Sequence, residues 1–270
     1  MLFFINNFNG DEKMRRTDLA IDKEEIKNSI IPEVKTGGIK VYKSLCEKEK
    51  HITVSFPQLD IITDTSYLEN EIISALRQLL PERVEKILVV GLGNQEITPD
   101  AIGPATATRL LATRHIVGEI AERIGLKDLK SVSVISPNVL GKTGIEAAEL
   151  VTAVSKKIKP QAVILIDALA SSDISRLFRT IQICNTGISP GSGVKNSRKE
   201  ISENTLGVPT IALGIPTVVD VGKIGVKSEE MIVTPKDVDL LCEKVSEITA
   251  RALNIFLQPD IEPEIIMSLV

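Results

Sequence analysis

From Val84 onward short apolar runs of Val, Ile and Leu alternate with longer stretches of helical period. The runs are "VEKILVV", "SVSVIS", "QAVILI", "TIQIC" and "VPTIALG". The helical stretches are "ATATRLLATRHIVGEIAERI", "GIEAAELVTAVSKKI" and "TPKDVDLLCEKVSEITARALNIFL". A strand that is apolar along its whole length must be covered on both faces, so the pattern predicts an α/β fold, a mostly parallel wound sheet with helices on both faces. Thr234, Pro235 and Asp237 read as the cap, first position and acidic first turn of the last helix. Ahead of Val84, "GGIKVYKSL" and "HITVSFPQLDII" read as a pair of strands, and "YLENEIISALRQLL" as an amphipathic helix. No internal repeat or low-complexity linker appears, so one domain with an N-terminal extension is expected.

Composition narrows the function classes. A net charge of −4 offers no polybasic surface for nucleic acid or an anionic membrane. No apolar run reaches membrane-spanning length, and "MLFFINNFNG" lacks the basic start and long apolar core of a signal peptide. The three cysteines, Cys46, Cys184 and Cys242, are widely spaced, which suits a reducing cytosol rather than a disulfide framework. With two histidines in the chain, a histidine-rich metal site is not expected, and neither is any cofactor. Phe3, Phe4 and Phe8 make the extreme N-terminus too aromatic for a solvated tail, so it is expected to pack.

In a wound sheet, chemistry collects beyond the carboxyl ends of the strands. Two acids are expected there: Asp100, in the loop "GLGNQEITPDAIGP" after "KILVV", and Asp167, at the end of "QAVILI". Adjacent parallel strands lie about 4.8 Å apart, so their terminal acids can approach closely enough to split their proton affinities. The glycine loop lacks the G-x-G-x-x-G and G-K-[ST] fingerprints, and Glu96 would repel a pyrophosphate. An acid-presenting loop is the better reading. The plainer alternative is a helix cap at Asp100 and a turn residue at Asp167.

Other positions carry weaker signals. Asp220 follows "IPTVV" as a third acid or a turn residue, and Glu146 reads as a helix cap. Gly187, Gly191, Ser192 and Gly193, in "NTGISPGSGVKNSRKE", can line a substrate groove or simply form a surface loop. Ser192 lacks a nucleophile-elbow pattern and a histidine partner, and His115 reads as a helix-face residue, which disfavours a serine hydrolase.

Taken in order, "RTDLAID", "VVGLGNQEITPDAIGP", "LLATRH", "GKTGIEAAEL", "ILIDALAS", "TIQICNTGISPGSGVKN", "TLGVPTIALGIPTVVD" and "VTPKDVD" resemble the blocks of the germination protease (spore protease) family. The resemblance runs from Arg16 to about Asp239. It implies an aspartic-type endopeptidase of the spore core that degrades small acid-soluble, DNA-coating spore proteins, with a fold similar to hydrogenase-maturation endopeptidases (phosphorylase/hydrolase-like). It places the catalytic pair at Asp100 and Asp167, in the T-P-D-A and I-D-A-L-A blocks. It further implies a zymogen: residues 1–18 as a propeptide, self-cleavage between Asp18 and Leu19, and 19–270 as one peptidase domain. A homotetramer is the family's assembly. Asn185 and Ser189 stand where the family pattern has aspartate and histidine, and only the ten residues Val221 to Glu230 separate Asp220 from Met231, a shortened segment.

The implied mechanism is general acid–base hydrolysis, one aspartate activating water and the other donating a proton. The assignment between them stays open, because a close pair titrates as a unit. Two rivals remain: a metal-assisted maturation endopeptidase of the same fold, and a non-enzymatic module binding a nucleotide or partner at the glycine loop.

Overall fold

The computed structural model describes residues 18–20, 31–45, 49–116, 129–189, 199–223 and 230–270 of the chain. Among them, nine strands form one sheet: β1 (Glu33–Val34), β2 (Lys40–Leu45), β3 (Lys50–Ser55), β4 (Lys86–Gly91), β5 (Ser131–Ile135), β6 (Ala162–Ser171), β7 (Thr180–Cys184), β8 (Thr210–Lys223) and β9 (Glu230–Val233). Their order is β1-β2-β3-β7-β8-β6-β4-β5, with β9 also paired to β8. The sheet is mixed. Strands β5, β4, β6 and β8 run parallel, as the alternation with helices predicts. The remaining pairs are antiparallel. Connection length decides the difference: residues 172–179 between β6 and β7 are too few for a parallel crossover, and β2 and β3 follow one another as an antiparallel pair.

The helices are α1 (Ser66–Leu79), α2 (Ile102–Ala107), α3 (Leu140–Thr143), α4 (Ala147–Ile158), α5 (Glu203–Leu206), α6 (Val238–Leu257) and α7 (Pro263–Met267). Alternate strand residues feed opposite layers. Ile87, Val89, Ile164, Ile166, Ile211 and Leu213 join the larger core with α1, α2 and α6. Their neighbours Leu88, Val90, Val163 and Leu165 join a smaller core with Ala147, Ala148 and Val151 of α4. Helix α1 buries Leu68, Ile72, Ala75 and Leu76, the spacing of one helical face.

Two helices depart from their sequence pattern. The stretch 105–124 is expected as one helix, yet α2 ends at Ala107 and residues 108–116 turn back beside β5. Helix α6 captures the main-chain groups that further turns would need. Asn254 accepts from the Leu111 N–H at 3.0 Å and donates to the Arg109 carbonyl at 2.9 Å. The Thr113 amide donates to Val132 of β5. Residues 117–124 of the expected helix lie outside the described residues. At the other site, α6 begins at Val238 behind Asp237, not at Pro235. Thr234, the expected cap, donates instead to the Thr217 carbonyl at 2.8 Å.

Candidate active site

The chain leaves β4 for β5 on one side and returns across it to β6 on the other, so strand order reverses at β4. Such a reversal opens a crevice beyond the carboxyl ends of the two strands involved. The last link between them is the Leu92 N–H to the Ile166 carbonyl, 2.8 Å. Past it, β4 becomes the glycine loop, while β6 runs on to Ser171 with β8 as its one paired strand among the described residues. Asp167 is the first residue of that extension. It therefore sits inside a strand rather than ending one, at the point where its β4 neighbour departs.

The glycine loop is wrapped around Asp100. A 3-10 turn, Thr98–Asp100, follows the loop and packs against β6, β8 and α6. The Asn94 amide donates to the Asp100 carboxylate at 2.8 Å and to the Asp100 carbonyl at 3.2 Å. Gly93 has φ +117, and a Cβ there would lie 2.1 Å from the Asp100 carbonyl oxygen, so only glycine fits. Thr217 donates to the Pro99 carbonyl at 2.6 Å, and the Cys242 thiol to the Thr98 carbonyl at 3.1 Å. The loop amide that a phosphate-binding turn would offer to a ligand is thus given to a carboxylate. Glu96 points away and pairs with Lys142 of α3.

Asp167 is 6% exposed, and its Oδ1 accepts from the Ala168 amide at 2.9 Å. Register extends its row across the sheet: Asp167 pairs with Gly214 of β8, and Gly214 with Gln182 of β7. Paired residues present their side chains on the same face, so Asp167 and Gln182 share a face two strands, about 10 Å, apart. Over this region lies the short segment Asp18–Ala20. The Asp18 amide donates to the Ala170 carbonyl at 2.9 Å, and the Ala170 amide donates to the Asp18 carboxylate at 2.9 Å. Leu19 is fully buried and Ala20 is 3% exposed. Sequence reasoning missed Gln182. Its signal was present as the polar alternation of Thr180 and Gln182 with Ile181 and Ile183, which turns one face of β7 away from the large core.

The remaining candidates are scattered. Gly187 has φ +75, and a Cβ there would meet the Ile201 carbonyl at 2.3 Å, a backbone requirement next to the Ile188–Ile201 bridge. Gly191, Ser192 and Gly193 lie outside the described residues, as do Phe3, Phe4 and Phe8. Asn185 fastens β7 to β3, accepting the Lys50 amide on its Oδ1 at 2.8 Å. Asp220 falls within β8, opposite Ile232 of β9, rather than after a strand. Glu146 occupies the cap position of α4 without a side-chain cap hydrogen bond. His115 is exposed in a turn instead of on a helix. Among the described residues, no group of three or more His, Cys, Asp or Glu is placed to hold a metal ion, and no helix is long and apolar enough to cross a membrane.

Comparison with known proteins defines the class as a peptidase: the family model described as germination protease matches residues 13–228. The chain belongs to the germination protease family. A germination protease of Clostridium tetani is 39% identical over 319 residues, covering 94% of this chain and 98% of its own. One from Caldanaerobacter subterraneus is 38% identical over 308 residues, covering 90% and 94%. Both aligned stretches are longer than this chain, so both relatives carry positions without a counterpart here. Among solved structures, the [NiFe] hydrogenase maturation protease HycI of Thermococcus kodakarensis is similar with a TM-score of 0.43 at 15% identity, covering 69% of this chain and 98% of that one.

Proposed function

We propose that this protease degrades small acid-soluble spore proteins during germination, and that it is made as a zymogen which cuts its own Asp18–Leu19 bond. Asp100 and Asp167 are the acid–base pair in this reading. The observation that carries it is the seat of the processing segment. Asp18 is joined by two main-chain-directed hydrogen bonds to Ala170, three residues beyond Asp167 on the same strand. A peptide fastened to a strand by hydrogen bonds to its main chain is one way a peptidase presents a bond to its catalytic groups.

In the reaction, the ionised aspartate takes a proton from water as the water oxygen attacks the Asp18 carbonyl carbon. The protonated aspartate then gives its proton to the Leu19 nitrogen as the C–N bond breaks. Each transfer contributes on the order of 10²- to 10⁴-fold. The segment 1–18 is the propeptide, and a homotetramer is the proposed assembly.

The test is Asp100→Asn and Asp167→Asn in the full chain. Mass spectrometry should find no product beginning at Leu19, and no cleavage of an added small acid-soluble spore protein. Normal turnover by either variant removes that residue from the mechanism.

A further inference from the structure

One side chain holds the segment on both sides of the proposed scissile bond. Gln182 Oε1 accepts the Ala20 amide at 2.6 Å, and its Nε2 lies 3.5 Å from the Asp18 carbonyl oxygen as donor. The carbonyl is the one that hydrolysis of Asp18–Leu19 would attack. The two contacts demand the same amide orientation, since the reverse one would set donor against donor and acceptor against acceptor. Gln182 is 6% exposed, so its polar head is committed to this site rather than to solvent. In-register pairing through Gly214 puts it on the face that carries Asp167.

We infer that Gln182 is a catalytic residue: its carboxamide clamps the main chain across the scissile bond, and its Nε2–H stabilises the oxyanion that forms on the Asp18 carbonyl. The inference rests on the aspartate-pair reading above. When water adds to the carbonyl carbon, the C=O π pair moves to the oxygen, and that oxygen becomes the charged centre. A donor serving the tetrahedral state stands off from the flat carbonyl and closes as charge develops, which accounts for a long ground-state contact. The C=O re-forms as the proton reaches the Leu19 nitrogen and the amine leaves. Gln182 gains and loses no proton. The remaining contact, from the Ala20 amide, fixes the segment's register against β7.

The test is the first-order rate of self-processing of the full chain over pH 4–8, read by mass spectrometry. The variants are Gln182→Ala and Gln182→Glu, with Asp100→Asn and Asp167→Asn alongside. Loss of one oxyanion donor is expected to slow both Gln182 variants about 10²- to 10³-fold at pH 7. A glutamate in place of Gln182 can donate only when protonated, so the Q182E rate should rise relative to Q182A as pH falls toward about 4. Gln182 variants within threefold of wild type, beside silent aspartate variants, overturn the inference and leave the parent reading standing. A Q182E rate that tracks Q182A at every pH overturns the donor role. Active aspartate variants overturn the parent reading instead. Should Q182A fail to fold by circular dichroism, Gln182→Met, similar in length and without polar groups, decides in its place: wild-type processing by Q182M overturns the inference, and a folded, slow Q182M supports it.

Discussion

Asp18 and Ala170 are joined in both directions, main chain to main chain and main chain to carboxylate, each at 2.9 Å. The carboxylate contact is charge-assisted and gives the segment a reason to carry an acid at that position. Asp18→Ala is expected to slow self-processing about 10- to 100-fold, with little change in thermal stability. Asp18→Asn keeps an acceptor and should fall between. A D18A chain that processes at the wild-type rate would show that the carboxylate does not position the bond.

The site loop depends on close backbone approach. A Cβ on Gly103 would stand 2.1 Å from the Leu92 carbonyl oxygen and 2.6 Å from that of Ile166. Gly103→Ala must push α2 away from β4 and β6, moving Asp100 relative to Asp167. Overpacking of this kind costs about 1–3 kcal/mol or more, and activity should fall by at least tenfold. Urea unfolding and a cleavage assay read the two effects separately; unchanged stability would mean the helix shifts freely.

Glu69 ties two helices that carry the larger core. It is 4% exposed, accepts the Thr65 hydroxyl at 2.7 Å and meets Arg251 of α6 at 3.1 Å. Arg251 is more open to solvent, so screening weakens the ion pair. Glu69→Ala should cost about 2 kcal/mol, chiefly through the lost Thr65 partner and the cavity left at a buried position. Chemical denaturation should show a lower midpoint with processing still intact in the folded protein.

Alkaline pH should destabilise the fold through its thiols. Burial, with the charge of Asp239 adding to it, pushes Cys242 up to about 12, and burial pushes Cys184 up as well. In the unfolded chain a thiol ionises near pH 8.5. Below that value both states hold the proton and the thiol adds no pH dependence. Above it the unfolded state alone releases the proton, so stability falls by up to about 1.4 kcal/mol per pH unit for each thiol, until the folded thiol also ionises. Cys242→Ser keeps a donor toward Thr98 and removes the titration. Its denaturation midpoint should therefore drop less than wild type between pH 8 and pH 11. Equal slopes would refute the assignment.

Local pattern made much of this molecule legible. The runs at β2, β3, β4, β5 and β7 and the stripe of α1 were readable, because period 2 and period 3.6 are properties of neighbouring residues. Asp100 and Asp167 stood out for the same reason, each following an apolar run. The stretch after Ala107 was not readable. Its helical period is genuine, but more than a hundred residues later Asn254 takes up the Leu111 amide and the Arg109 carbonyl, and Gln258 donates to the Thr113 hydroxyl. Thr234 likewise caps well in sequence and bonds to Thr217 in space.

The sequence by itself determined the wound parallel half of the sheet and its two-faced core, since these follow from side-chain periodicity and chain order. Tertiary structure alone decided that β7 runs antiparallel and that Gln182 falls in the row of Asp167. It also decided that residues 18–20 lie against Ala170 and Gln182. Those relationships are set by strand register and by hydrogen bonds between groups some 150 residues apart, and no local pattern encodes which distant backbone a free amide will meet.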